Sequence, residues 1–128
     1  MLKGYDSATM IPVKDLEKTR RFYEDVLGFS VDVEDPAGIR YQSGGTAFFL
    51  YPTEFAGTAQ HTLIGWDVDD VESVVDDLAS KGVTFEQYDT EWIKTDAKGV
   101  ADMGPGGKGA WFKDPEGNIL SIGQFSRR

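Results

Sequence analysis

Residues 110–124 read AWFKDPEGNILSIGQ, two apolar runs separated by Asp114-Pro115-Glu116-Gly117-Asn118. Proline presets the second place of a tight turn, and Gly and Asn tolerate positive φ, so the five residues predict a reversal between two β-strands. In the second strand, side chains alternate. Leu120 and Ile122 share one face, while Ile119, Ser121 and Gly123 share the other.

Working outward, the preceding stretch 89–108 is irregular and contains Trp92 and the glycine-rich GPGGKG at 104–109. It lacks the Ser or Thr that follows the lysine of a phosphate-binding loop, and no helical pattern comes after it. A connection into a strand is the expected role. Before it, Val83 to Tyr88 reads as a strand. Val71, Val74, Val75 and Leu78 recur at helical spacing, with Asp69 or Asp70 as N-cap and Gly82 as the left-handed stop. The acidic run Asp67, Asp69, Asp70 and Glu72 suits the positive end of that helix. His61 to Val68 is the strand before it.

The same order occurs in the N-terminal half. Ala8 to Val13 predicts a strand, and Pro12 in it favours a sheet edge. Asp15 is the N-cap of a helix bearing Leu16, Phe22, Tyr23, Val26 and Leu27 on one stripe, stopped by Gly28. Strands follow at Phe29 to Val33, Ile39 to Gln42 and Ala47 to Tyr51. VKDLE at Val13 to Glu17 realigns with VDDVE at Val68 to Glu72, roughly 55 positions later. The expected architecture is α+β, one domain over 1–128: a βαβββ module at 7–52, a linker at 53–60 and a second module at 61–125. One helix covers only one face of each sheet. Joined side by side, the modules would form a curved mixed sheet whose uncovered face is a concave cup, a usual place for a small ligand.

Composition narrows the function classes. With 128 residues the chain is long enough for a real core. Its formal net charge of -9 repels a phosphate backbone, and basic residues cluster only at Lys18–Arg21 and at Arg127-Arg128, so nucleic acid is excluded as a partner. No apolar run is long enough to span a bilayer, and no secretory leader pattern is present. The absence of cysteine fits a cytoplasmic setting and excludes thiolate chemistry. A negative field would attract a cationic small molecule. No Ser-His-Asp arrangement is defensible. His61, the sole histidine, has no evident orienting partner and reads as a strand-end residue half in solvent.

PVKDLEKTRRFYEDVLGF at 12–29, VDDVESVVDDLASKGV at 68–83 and WFKDPEGNILSI at 111–122 together resemble the vicinal oxygen chelate superfamily. That group includes glyoxalase I, extradiol dioxygenases, and the fosfomycin- and bleomycin-resistance proteins. The resemblance covers almost the whole chain, least securely 89–108. It implies the cupped fold and pairing as a homodimer. Its enzymes hold a divalent metal through His, Gln or Glu side chains. Carried across, those positions fall on Ala8, Leu63 and Ser121, with the related first-half place near Phe49 or Tyr51. None of the three is a usual ligand, so the expectation is no metal, no other cofactor and no catalytic residue.

Strand parity with those positions turns Ala8, Met10, Leu63, Gly65, Ser121 and Gly123 inward. Phe49 and Tyr51 follow from the first half, and Trp92, Met103 and Trp111 from the loop and closing hairpin. The expected ligand-binding residues are therefore Met10, Phe49, Tyr51, Leu63, Trp92, Met103, Trp111 and Ser121. Such a lining suits an apolar or aromatic compound, including a cationic one, through stacking and cation–π contacts. The expected function is metal-independent binding of a small molecule for sequestration or resistance. The alternatives are a metal-dependent lyase, isomerase or dioxygenase of the same superfamily, and a module whose cup docks a protein.

Overall fold

A computed structural model describes residues 1–125, so Arg127 and Arg128 lie outside the described residues. The strands are β1 (Thr9–Val13), β2 (Val31–Asp35), β3 (Gly38–Ser43), β4 (Thr46–Pro52), β5 (Thr62–Asp67), β6 (Val100–Asp102), β7 (Lys108–Lys113) and β8 (Ile119–Gln124). The helices are α1 (Leu16–Arg21) and α2 (Val71–Ser80). A 3-10 turn at Leu2–Gly4 precedes β1, and a π-helical turn at Phe22–Val26 continues α1. Strand pairing gives two four-stranded mixed sheets, in the orders β1-β4-β3-β2 and β5-β8-β7-β6. No helix among the described residues is long and apolar enough to cross a membrane.

The chain divides into two compact units. One holds residues 1–58 with 115–118, the other 59–114 with the strand that follows. In the first unit, Ile11 and Val13 of β1, Ile39 and Tyr41 of β3, and Phe48 and Leu50 of β4 are all buried. They pack toward the helical side with Tyr23. Tyr23, Tyr41, Phe48 and Phe29 form an aromatic cluster in which the Phe29 and Phe48 ring centroids are 4.9 Å apart, edge to face. Pro12 does sit on an edge strand, because among the described residues β1 pairs only with β4. β2 is the opposite edge and is exposed throughout, and its Asp32, Glu34 and Asp35 discourage further strand pairing.

The tip of the β7–β8 connection belongs to the first unit and does more than reverse the chain. Glu116 Oε2 accepts from the backbone N–H groups of Lys14 (2.8 Å) and Asp15 (2.7 Å) and from Thr19 Oγ1 (3.1 Å). It therefore supplements the Asp15 side chain, which accepts from Lys18 N at the start of α1. Asn118 is fully buried. Its Nδ2 donates to the Pro12 carbonyl (2.8 Å), and its Oδ1 accepts from Gly57 N (3.2 Å). Gly57 has φ +75°, and a Cβ there would lie 2.0 Å from the Glu116 carbonyl oxygen.

In the second unit α2 buries Val71, Val75 and Leu78 beside Val100, Ala110, Phe112, Leu120 and Ile122. Asp70 is the N-cap, accepting from Ser73 N, and the Gln124 side chain accepts from Val71 N at 2.6 Å. The strand expected at Val83 to Tyr88 does not form as such. Only Phe85 makes a ladder contact, an isolated bridge to Phe112, supplemented by Glu86 N donating to Trp111 O. The place beside β7 is taken by β6, which lies within the stretch expected to be irregular. GPGGKG serves as the connection between β6 and β7, closed by Met103 N to Gly107 O and Gly107 N to Gly104 O.

Candidate ligand-binding faces

Burial of alternate residues in β1, β3 and β4 leaves their other side chains on the helix-free face of the first sheet. Strand register sets Met10 beside Phe49 and Phe49 beside Arg40, making one row across β1, β4 and β3. Pro12 and Tyr51 form the next row on one side, and Ala47 with Gln42 the row on the other. Met10 is 52% exposed, whereas Phe49 and Tyr51 are half-buried. Gly38 explains how Phe49 lies: a Cβ there would come within 2.8 Å of Phe49 Cε1, so the ring rests where a side chain is missing. A pocket of about 390 Å³ opens beside this row, lined by Asp6, Ser7, Ala8, Arg40, Gln42 and neighbouring residues of the β3–β4 turn.

On the second sheet, register places Trp111 and Gly65 on either side of Ser121, and Gly109 beside Gly123. Glycines floor this face, and larger groups lie over them. Trp111 Cη2 is 3.3 Å, and Met103 Cγ 3.5 Å, from where a Gly109 Cβ would be. The Phe125 ring covers Gly123 in the same way. Ser121 Oγ leans over Gly65, 2.7 Å from that residue's absent Cβ. Tyr88 meets the Trp111 indole edge to face, with centroids 5.6 Å apart. The group is aromatic and sulfur-bearing, with the hydroxyls of Ser121 and Tyr88.

The expected residues thus fall in two groups, Met10, Phe49 and Tyr51 in one unit and Met103, Trp111 and Ser121 in the other. Leu63 sits where the β5–β8 register shifts, between Thr62 and Ile64, so alternation counted back from Gly65 does not carry through to it. Trp92 is 83% exposed, next to Thr90, whose hydroxyl accepts from Trp92 N in a loop bridged between Asp89 and Lys94. His61 precedes β5 and is exposed, with Nδ1 3.1 Å from the Thr62 carbonyl oxygen. Arg40, Gln42, Tyr88 and Phe125 escaped sequence reasoning. Period-two alternation across the turn at Gly44-Gly45 carried the signal for Arg40, opposite Phe49.

A larger cleft, about 830 Å³, lies under the Gly104–Gly107 loop and is lined by Glu72, Lys94, Asp96, Asp102 and Lys108. Much of its charge is internally satisfied. Glu72 accepts from Lys98 (2.9 Å) and Lys108 (3.1 Å), bonds that hold its carboxyl below the usual carboxylate range.

The sequence profile of the glyoxalase/bleomycin resistance protein/dioxygenase superfamily matches residues 7–122. The chain belongs to that superfamily. No curated protein matches it. Among solved structures it is similar to TnmS3, an antibiotic-binding protein from Streptomyces sp. CB03234 (22% identity, 95% of this chain and 98% of that one, TM-score 0.65). It is also similar to lactoylglutathione lyase from Agrobacterium tumefaciens (17%, 94% and 92%, 0.67). A third is the fosfomycin resistance protein FosX from Listeria monocytogenes (14%, 94% and 92%, 0.68). At these identities the likeness is one of fold.

At the positions that the resemblance marks for the metal of the superfamily's enzymes, the residues present do not fit such an ion. Ala8 and Leu63 have no donor atom, and Ser121 offers a neutral hydroxyl leaning on Gly65. No group of three or more His, Asp or Glu side chains able to hold an ion occurs among the described residues.

Proposed function

We propose that this superfamily member binds a small molecule without a metal, in the manner of a sequestration or resistance protein. The observation that carries the reading is the pairing of two features on the helix-free faces. Aromatic and thioether side chains are presented there at Met10, Phe49, Tyr51, Met103 and Trp111, while the positions that the resemblance marks for an ion hold Ala8, Leu63 and Ser121. Surfaces of this kind bind through apolar burial, about 25 cal/mol per Å², and through ring stacking. An antibiotic-binding structural relative supports the same class of role. The ligand has an apolar or aromatic body. A cation, attracted by the overall charge, meets Arg40 on the first sheet's face, which disfavours it there. Pairing of two copies belongs to the proposal and predicts a solution mass of twice 14.1 kDa.

Isothermal calorimetry of the purified chain against a panel of antibiotics and aromatic metabolites tests the reading. Micromolar or tighter binding of at least one compound is expected, weakened by Trp111→Ala or Phe49→Ala by about tenfold or more. A panel without binders, combined with stoichiometric uptake of a divalent ion, would overturn it.

A further inference from the structure

Arg40 is a cation at the end of the apolar Met10–Phe49 row on the first sheet's helix-free face, where that row meets a polar pocket. Its backbone pairs with Phe49, which pairs in turn with Met10. Its side chain is 50% exposed and lines the roughly 390 Å³ pocket with Ser7, Gln42 and Asp6. One ion pair engages it, Nε to Asp32 Oδ2 at 3.3 Å, and no other described residue bonds it. An exposed pair of that length contributes little to folding. It engages the guanidinium through Nε and leaves both terminal nitrogens without a bond to any described residue. A guanidinium held in this way offers two parallel N–H donors matched to a carboxylate.

We propose that Arg40 is the anion-recognising residue of this face, receiving the carboxylate of a ligand whose flat apolar body rests on Phe49 and Met10. The ligand class is then an aromatic or other apolar carboxylic acid. The inference rests on the ligand-binding reading above and adds the charged end of the ligand to it. Gln42 and Ser7, in the same pocket, supply neutral polar contacts around the carboxylate, while Asp6 and Asp32 repel an anion there, so the acid preference measures what the guanidinium contributes against them. The net charge of -9 works against any indiscriminate attraction of acids, so a preference for an acid over its neutral counterpart must come from a local cation.

The test uses a matched pair of fluorescent probes, 2-naphthoate and 2-naphthamide, titrated into the full chain at neutral pH. The wild type is expected to bind the acid about tenfold more tightly than the amide. Arg40→Gln is expected to lose the acid's advantage and bind the two probes about equally, with urea unfolding confirming an intact fold. Arg40→Lys is expected to restore only part of the preference, since an ammonium cannot bind a carboxylate through a planar fork. Equal binding of the two probes by the wild type, or an acid preference surviving in Arg40→Gln, overturns the role of Arg40 and leaves the face a ligand site. Failure of both probes to bind overturns the role and the ligand-binding reading of this face together.

Discussion

Asn118 shows how much a single buried polar side chain can settle. It is fully buried, and its amide satisfies both a β1 carbonyl and the Gly57 N–H. Truncation would strand both backbone groups, and each buried unsatisfied partner costs about 1–3 kcal/mol. Asn118→Ala is therefore expected to lower the unfolding free energy by about 2–4 kcal/mol in urea titrations, with the m-value unchanged. A loss below about 1 kcal/mol would mean that water replaces the amide. Tyr41 is the other residue whose environment makes a measurable prediction. Burial, then its hydrogen bond to Glu24 Oε2 (2.7 Å), pushes its phenol well above the ordinary value near 10. A raised folded-state pKa gives stability that is complete below about pH 10 and is lost as the pH rises through the folded value. Tyr41→Phe should shrink that alkaline loss without abolishing it, because burial also raises Tyr88. An identical alkaline limb in the variant would assign the loss elsewhere.

At the scale of elements, what could be read from the chain depended on whether the signal was local. Helix starts were legible because capping is a short-range device: Asp15 and Asp70 cap where expected, and Gly28 and Gly82 take positive φ after the helices. The distant partners of the same helix ends were not. Glu116 bonds the start of α1 from about 100 positions away, and Gln124 bonds the start of α2 from the last strand. Nothing in periodicity announces such pairings. Val83 to Tyr88 failed for a related reason: its alternation matches a strand, but β6 occupies the β7 edge and leaves it a single bridge at Phe85. Among site residues, parity placed Met10, Phe49 and Tyr51 on one face, whereas the register shift at Leu63 could not be foreseen from alternation. Phe85 should accordingly be the main apolar anchor of the segment. Phe85, 8% exposed and edge to face with Phe112, is expected to cost about 3–4 kcal/mol on truncation to Ala. Val83→Ala, half-exposed, should cost well under half as much. Comparable losses would indicate that backbone pairing, and not the ring, retains the segment.

Across the whole molecule, the two halves repeat an order of elements while their helix-free faces have diverged in chemistry. The first carries Met10, Phe49, Tyr51 and a guanidinium; the second carries Trp111, Met103 and a floor of glycines. Neither supplies the imidazole or carboxylate that a divalent ion requires at Ala8, Leu63 or Ser121, although 22 acidic residues are distributed over the chain. Those carboxylates are employed in other ways: Asp15 and Asp70 in capping, Glu24 and Glu34 on Arg20, and Glu72 on Lys98 and Lys108. A scattered acidic surface attracts cations diffusely, and such attraction is screened within a Debye length of about 8 Å at physiological ionic strength. A ligated ion behaves differently, stabilising the native state by about 2.7 kcal/mol at a hundredfold excess over its Kd, or roughly 10 °C in Tm for a chain of this size. Thermal unfolding with Zn²⁺, Mn²⁺, Ni²⁺ or Fe²⁺ at physiological salt is therefore expected to show no shift beyond that produced by Mg²⁺, and chelator should leave Tm unchanged. A shift of several degrees specific to one transition ion, removed by chelator and persisting at high salt, would require a ligand set that these residues do not supply, and would place metal chemistry ahead of simple binding.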